Sequence, residues 1–110
     1  MKKIFIVEDE DIIRRGLVCT IDWLRLGCSV VGDAPDGLAA LPRIEALQPD
    51  IVLTDIRMPR LDGLALAQRL KECAHAPAII FLTSYADFSY AQAALRLQAA
   101  DYLLKPIDEA

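Results

Sequence analysis

Cysteine is scarce in this chain and poorly placed for chemistry. Cys19, Cys28 and Cys73 are odd in number and none stands in a C-x-x-C arrangement, which excludes a disulfide framework and a zinc knuckle. All three are expected to be buried, inert thiols. Long hydrophobic runs are also lacking. Stretches such as Ala78-Ile79-Ile80-Phe81-Leu82 fall far short of the ~20 apolar residues that span a bilayer. The basic start Met1-Lys2-Lys3 leads into an apolar region that Glu8, Asp9, Glu10 and Asp11 interrupt, too soon for a secretory signal, so a cytoplasmic location is expected. Positive charge is outnumbered, with 12 Lys and Arg against 16 Asp and Glu for a net charge of −4. This chain therefore offers no basic face for nucleic acid phosphates, and any DNA-binding function is expected to reside elsewhere. The lone histidine, His75, stands among alanines and reads as a surface or helix-end residue rather than a metal ligand. There is no internal repeat, low-complexity tract or linker.

What is present is a supply of apolar residues, 55% of 110, sufficient for one domain with a sheet buried on both faces. Apolar, β-branched runs at 4–7, 29–31, 51–54, 79–83 and 102–104 predict five strands. Between them, 12–24, 38–47, 64–73 and 88–97 carry helical periodicity. Strict alternation of this kind demands parallel strands with helical crossovers, a doubly wound α/β three-layer sandwich. Asp62-Gly63 should cap the third helix, and Pro49-Asp50 should close the second. Pro42 disturbs the second helix, because it removes a hydrogen bond and crowds the Leu38 carbonyl, so a late start or a kink is expected there. The chain stops at Ile107-Asp108-Glu109-Ala110, where the alternation calls for a fifth helix, and residues 1–110 read as the N-terminal fragment of a longer protein.

In an open parallel sheet, ligands bind beyond the carboxyl ends of the strands. Those positions hold Glu8-Asp9-Glu10-Asp11, Asp55, Thr83-Ser84 and Lys105-Pro106. Clustered hard oxygen donors suit Mg²⁺, with Mn²⁺ as an alternative. A carboxylate at Asp55 could attack phosphorus as a nucleophile. Mg²⁺ and the Lys105 ammonium would then neutralise charge on the phosphoryl oxygens, with Thr83 donating a hydrogen bond.

Glu8-Asp9, Asp55 with Met58-Pro59 and Asp62-Gly63, Thr83, and Lys105-Pro106 together resemble the pattern of the receiver domains of two-component response regulators, over essentially the whole chain. The resemblance implies a flavodoxin-like strand order 2-1-3-4-5 and a phosphoacceptor role for Asp55. It also implies direct Mg²⁺ ligation by Asp9, Asp55 and the Arg57 backbone carbonyl, with Glu8 acting through water. Lys105 and Thr83 would contact the phosphoryl group, the Lys105-Pro106 bond would be cis, an isomer that proline makes tolerable, and Thr83 with Tyr102 would form a switch pair. The implied donor is a sensor histidine kinase, and the region of the fourth helix and fifth strand is a candidate homodimer surface. Ile21-Asp22-Trp23, Asp55-Ile56-Arg57-Met58-Pro59 and Ser84-Tyr85-Ala86-Asp87-Phe88-Ser89-Tyr90-Ala91 are similar to the YesN-like subgroup, in which an AraC-type DNA-binding domain follows at a distance and regulates transcription.

Other readings stand beside these. Glu8 to Asp11 alone could be a solvated acidic turn favoured by the helix dipole, and Tyr102 could be an ordinary half-buried sheet residue. Trp23 is expected to close the core at the end of the first helix rather than to meet a partner. Tyr85, Phe88 and Tyr90 either anchor the fourth helix or form an interaction surface. A phosphatase of the haloacid dehalogenase type would also place a nucleophilic aspartate after a strand, but it requires a second aspartate two residues on, where this sequence has Arg57. A degenerate receiver that binds partners without phosphorylation is disfavoured by the intact acidic, hydroxyl and lysine positions.

Overall fold

The computed structural model describes residues 1–83 and the backbone of 101–104. Its elements, in chain order, are β1 (Lys2–Val7), α1 (Asp11–Cys19), β2 (Cys28–Ala34), α2 (Gly37–Leu47), β3 (Ile51–Asp55), α3 (Gly63–Lys71), β4 (Ala78–Thr83) and β5 (Asp101–Leu104). The five strands form one sheet in the order β2-β1-β3-β4-β5, and every neighbouring pair is parallel. The doubly wound architecture and the flavodoxin-like order expected from the sequence are both present. The fourth helical segment and any helix after β5 lie outside the described residues.

Alternation along the central strands divides the core in two, because successive side chains of a strand point to opposite faces. Phe5, Val7, Val52, Ile79 and Phe81 pack with Ala40, Ile44, Leu66, Ala67 and Leu70 of α2 and α3. Ile4, Ile6, Leu53 and Leu82 pack on the other face with Leu17 of α1. Helices on both faces of the sheet give three layers among the described residues, and burial of strand segments such as Ile4 to Val7 of β1 is what makes them read as continuous apolar runs.

Several boundaries differ from those read in the sequence. The first helix ends at Cys19 instead of continuing to 24. The Thr20 hydroxyl donates to the Gly16 carbonyl, and the chain then turns so that the Trp23 indole N–H donates to the Leu17 carbonyl at 2.8 Å. Trp23 packs against the α1-side core as expected, but from this turn and not from the helix. Cys28 is buried, whereas Cys19 is exposed and Cys73 half-buried, which corrects the expectation of three buried thiols. His75 is exposed, as expected.

Strand β2 runs on through Gly32 and Asp33. A Cβ at Gly32 would come within 2.7 Å of the Phe5 ring, so glycine is needed there for side-chain clearance. Pro42 does not delay α2, which starts at Gly37 and contains the proline. The helix begins where the Asp36 carboxylate accepts the Ala39 N–H at 2.8 Å, satisfying a donor that has no partner within the helix. Pro42 deprives the Leu38 carbonyl of its helical donor, at a residue that is itself exposed.

The amino edge of the sheet is tied by Asp50. Its Oδ2 accepts the Lys3 N–H at 2.7 Å, its N–H donates to the Lys3 carbonyl at 2.8 Å, and its carbonyl accepts the Ala78 N–H at 2.9 Å. One residue thereby joins the starts of β1, β3 and β4. The Lys3 N–H bond holds the Asp50 carboxyl below its ordinary value; partial loss of solvent opposes this, and the charges of Lys2, Lys3 and the N-terminus reinforce it.

Candidate functional site

The carboxyl edge collects the acidic residues. Strand β1 delivers Glu8 and Asp9, and β3 ends on Asp55. One carboxylate oxygen from each lies within 4.8 Å of the others. Glu8 is fully buried and Asp55 is 6% exposed, while Asp9 is half-buried. Burying carboxylates together is unfavourable unless cations or donors compensate, so positive charge or hydrogen-bond donors beside this cluster are stabilising.

The geometry suits a small divalent cation. Magnesium–oxygen distances of about 2.1 Å separate opposite ligands by about 4.2 Å, and the ion commonly keeps several waters. A set spread over at most 4.8 Å therefore fits one or two direct carboxylates with the third reaching the ion through water. Hard oxygen donors without thiolate or imidazole favour Mg²⁺ or Mn²⁺ over zinc.

Asp55 is held by its surroundings. Its Oδ1 accepts the Ile56 N–H at 2.8 Å, which restricts rotation of the carboxylate, and the Thr54 hydroxyl donates to its carbonyl at 2.9 Å. Arg57 is exposed two residues further on, and Met58 packs against the α2–α3 core. The loop from β3 returns at Gly63, whose N–H donates to the Ile56 carbonyl at 2.7 Å. The Asp62 carboxylate caps α3 by accepting the Ala65 N–H at 2.8 Å, as its position in the sequence predicts.

Glu8, Asp9 and Asp55 are thus brought together. Thr83 is placed at the end of β4, paired in register with Leu104, and Tyr102 on β5 is paired with Phe81. The side chains of Thr83 and Tyr102, and all of Lys105 and Pro106 with the expected cis bond, lie outside the described residues. So do Tyr85, Phe88 and Tyr90.

Two arginines near the site escaped the sequence reading. Arg14 donates from Nη1 to the Glu8 carbonyl at 2.7 Å, from Nε to Asp33 at 3.1 Å and from Nη2 to Asp11 at 2.7 Å. Only the Asp11–Arg14 spacing, three residues along one helix, was a readable signal. Arg60 takes a positive φ of 69° and donates to Asp36 at 3.3 Å. The neighbouring Gly37 N–H donates to the Leu61 carbonyl at 3.0 Å, so the start of α2 is fastened to the loop that carries Arg57.

Residues 4–110 match the response regulator receiver domain family, and the chain belongs to that family. It is 44% identical over 111 residues to the transcriptional regulatory protein HptR of Staphylococcus aureus (strain NCTC 8325 / PS 47), covering 100% of this chain and 43% of that protein. It is 38% identical over 109 residues to the uncharacterized transcriptional regulatory protein YesN of Bacillus subtilis (strain 168), covering 99% of this chain and 30% of that protein. The chain therefore spans less than half the length of these relatives. Among solved structures, the REC domain of AraT, a response regulator from Geobacillus stearothermophilus, superposes with a TM-score of 0.91 at 42% identity, over 98% of this chain and 84% of that one. A two-component transcriptional regulator AraC from Clostridium phytofermentans ISDg gives 0.88 at 36% identity, over 99% and 84%. The chain is a signalling domain of the response regulator type, with relatives that are transcriptional regulators. Among the described residues no helix is long and apolar enough to cross a membrane.

Proposed function

We propose that Asp55 accepts a phosphoryl group from a phosphohistidine of a sensor kinase. A carboxylate oxygen of Asp55 attacks phosphorus, the P–N bond breaks, and the imidazole leaves with the bonding electron pair and takes up a proton. The product is an acyl phosphate on Asp55. The observation that carries this reading is the gathering of Glu8, Asp9 and Asp55 oxygens within 4.8 Å at the carboxyl edge of the sheet, with Asp55 at the end of β3.

Asp9, Asp55 and the Arg57 carbonyl would hold Mg²⁺ directly, and Glu8 through a water. When bound, the ion supplies charge neutralisation for the phosphoryl oxygens. Lys105 and Thr83 would contact the same group, and Thr83 with Tyr102 would report its presence to the β4–β5 side, where a second copy could dock. The module promotes its own phosphorylation and dephosphorylation without turning over a separate substrate. In the longer protein, we infer an AraC-type DNA-binding domain under its control, in the cytoplasm.

The test is intact-protein mass spectrometry after incubation with acetyl phosphate, with and without Mg²⁺, for wild type and Asp55→Asn. A Mg²⁺-dependent single phosphoryl adduct that is lost in the variant is the expected result. No adduct in a folded, Mg²⁺-binding, full-length protein would instead establish a phosphorylation-independent binding module. Steady turnover of free phosphate esters would point to a phosphatase.

A further inference from the structure

We infer that Arg14 is a positioning residue for the metal site, setting its affinity for Mg²⁺ by fixing the Glu8–Asp9 peptide. This deepens the proposed function and rests on its assignment of Glu8, Asp9 and Asp55 as the site for the ion.

The Glu8 backbone is gripped from both ends. Its N–H donates to the Ala34 carbonyl of β2 at 3.1 Å, and its carbonyl accepts from Arg14 Nη1 at 2.7 Å. That carbonyl belongs to the peptide leading into Asp9, so its direction determines where the Asp9 side chain departs. The guanidinium is itself located by two carboxylates on different elements, Asp33 at 3.1 Å on β2 and Asp11 at 2.7 Å at the start of α1. Three N–H groups of one rigid, planar fork thus bind three acceptors, a task the point charge of a lysine cannot perform. The Arg14 side chain is 16% exposed, against 43% for Asp33 and 75% for Asp11, so the fork is more sheltered than its carboxylate partners.

Repulsion among the clustered carboxylates favours splaying of the β1–α1 turn, and the Arg14 bond to the Glu8 carbonyl opposes it. A residue that orients a ligand in this way typically changes metal affinity by 10–100-fold when removed. The sign of the effect separates this role from simple electrostatics. Loss of a nearby cation should strengthen binding of a divalent cation, whereas loss of the positioning contact should weaken it.

The experiment is calorimetric titration of the full-length protein with MgCl₂ for wild type, Arg14→Ala and Arg15→Ala, with a urea unfolding curve for each. Arg15 is the exposed neighbour and its replacement makes the same change in net charge. Arg14→Ala is expected to raise the Mg²⁺ dissociation constant about tenfold, while Arg15→Ala leaves it unchanged or lower. The Mg²⁺ concentration that gives half-maximal labelling by acetyl phosphate should rise about tenfold in folded Arg14→Ala and stay unchanged or fall in Arg15→Ala. Should Arg14→Ala not fold, Arg14→Lys keeps the charge without the fork and is expected to bind Mg²⁺ several-fold more weakly than wild type. Equal or tighter binding by the folded Arg14 variant, or equal weakening in Arg15→Ala, overturns the inference alone. Failure of wild type to bind Mg²⁺ overturns the proposed metal site along with it.

Discussion

Replacing Gly63 by alanine tests how closely the start of α3 must approach the end of β3. A Cβ built at Gly63 would stand 2.0 Å from the Asp55 carbonyl oxygen and 3.0 Å from the Ile56 Cα. Both obstacles are backbone, and neither can rotate away as a side-chain tip could. Relief requires α3 to retreat from β3, stretching the 2.7 Å Gly63–Ile56 bond and lifting Leu66 and Leu70 from the core they fill. Overpacking usually costs about 1–3 kcal/mol, and a clash confined to backbone belongs at or above the upper end. With a urea slope of about 1.5 kcal/mol/M, a loss of about 3 kcal/mol lowers the unfolding midpoint by about 2 M. Trp23 fluorescence can follow the transition, because the single tryptophan packs against the α1-side core. Gly16→Ala is the matched control. A Cβ there meets nothing within 4 Å inside α1, so the same chemical change should stabilise by about 0.5–1 kcal/mol. A Gly63→Ala midpoint within about 0.5 M of wild type, or a comparable loss in Gly16→Ala, would refute the steric reasoning.

Pro42→Ala should stabilise the chain by about 1–3 kcal/mol by restoring an interior N–H for the Leu38 carbonyl, measured as a higher urea midpoint at unchanged slope. A loss of stability would show that α2 has adapted to the proline. Asp50 has a carboxyl pKa lowered from 3.8, chiefly by the Lys3 N–H. Its contribution should therefore be fully present above the unfolded-state pKa and disappear as pH falls through the lower folded value. Asp50→Asn should flatten this part of the stability–pH curve, and an NMR titration that places the folded pKa at or above the unfolded one would contradict it.

The sheet and its acidic edge were legible because their causes are local. Buried parallel strands must be apolar throughout, which exposed the five runs, and functional side chains of this architecture follow the strands directly. The end of α1 was hidden by a coincidence of pattern. Ile21 and Trp23 continue the apolar recurrence, but they pack on the core from a turn, so burial persists where helix does not. Gly32 and Asp33 look like turn residues, yet they extend β2, and the Phe5 ring leaves no room for a side chain at Gly32. Arg14 and Arg60 went unnoticed for a different reason. Asp33 is 19 residues from Arg14 and Asp36 is 24 from Arg60, and those pairings exist only once β2 lies beside β1 and α2 beside the loop after β3.

The two edges of the sheet carry opposite electrostatic burdens. At the amino edge, the carboxylate of Asp50 receives a backbone N–H and stands near Lys2 and Lys3, so its charge helps to join strand starts. At the carboxyl edge, Glu8, Asp9 and Asp55 confront one another within 4.8 Å. Each ionised pair at that separation would repel by about 3.5 kcal/mol at an effective dielectric of about 20, before donors compensate. Such a term is comparable with the removal of a large core side chain, and the fold meets it with rigid anchors: the Arg14 fork on the β1–α1 turn, the Ile56 N–H on Asp55, and the Asp36–Arg60 and Gly37–Leu61 contacts on the β3–α3 loop. Because these anchors hold the carboxylates close instead of letting them separate, the proposed divalent cation would find its ligands already assembled. The mutual repulsion of the clustered carboxylates and the affinity proposed for the ion would therefore have the same structural origin.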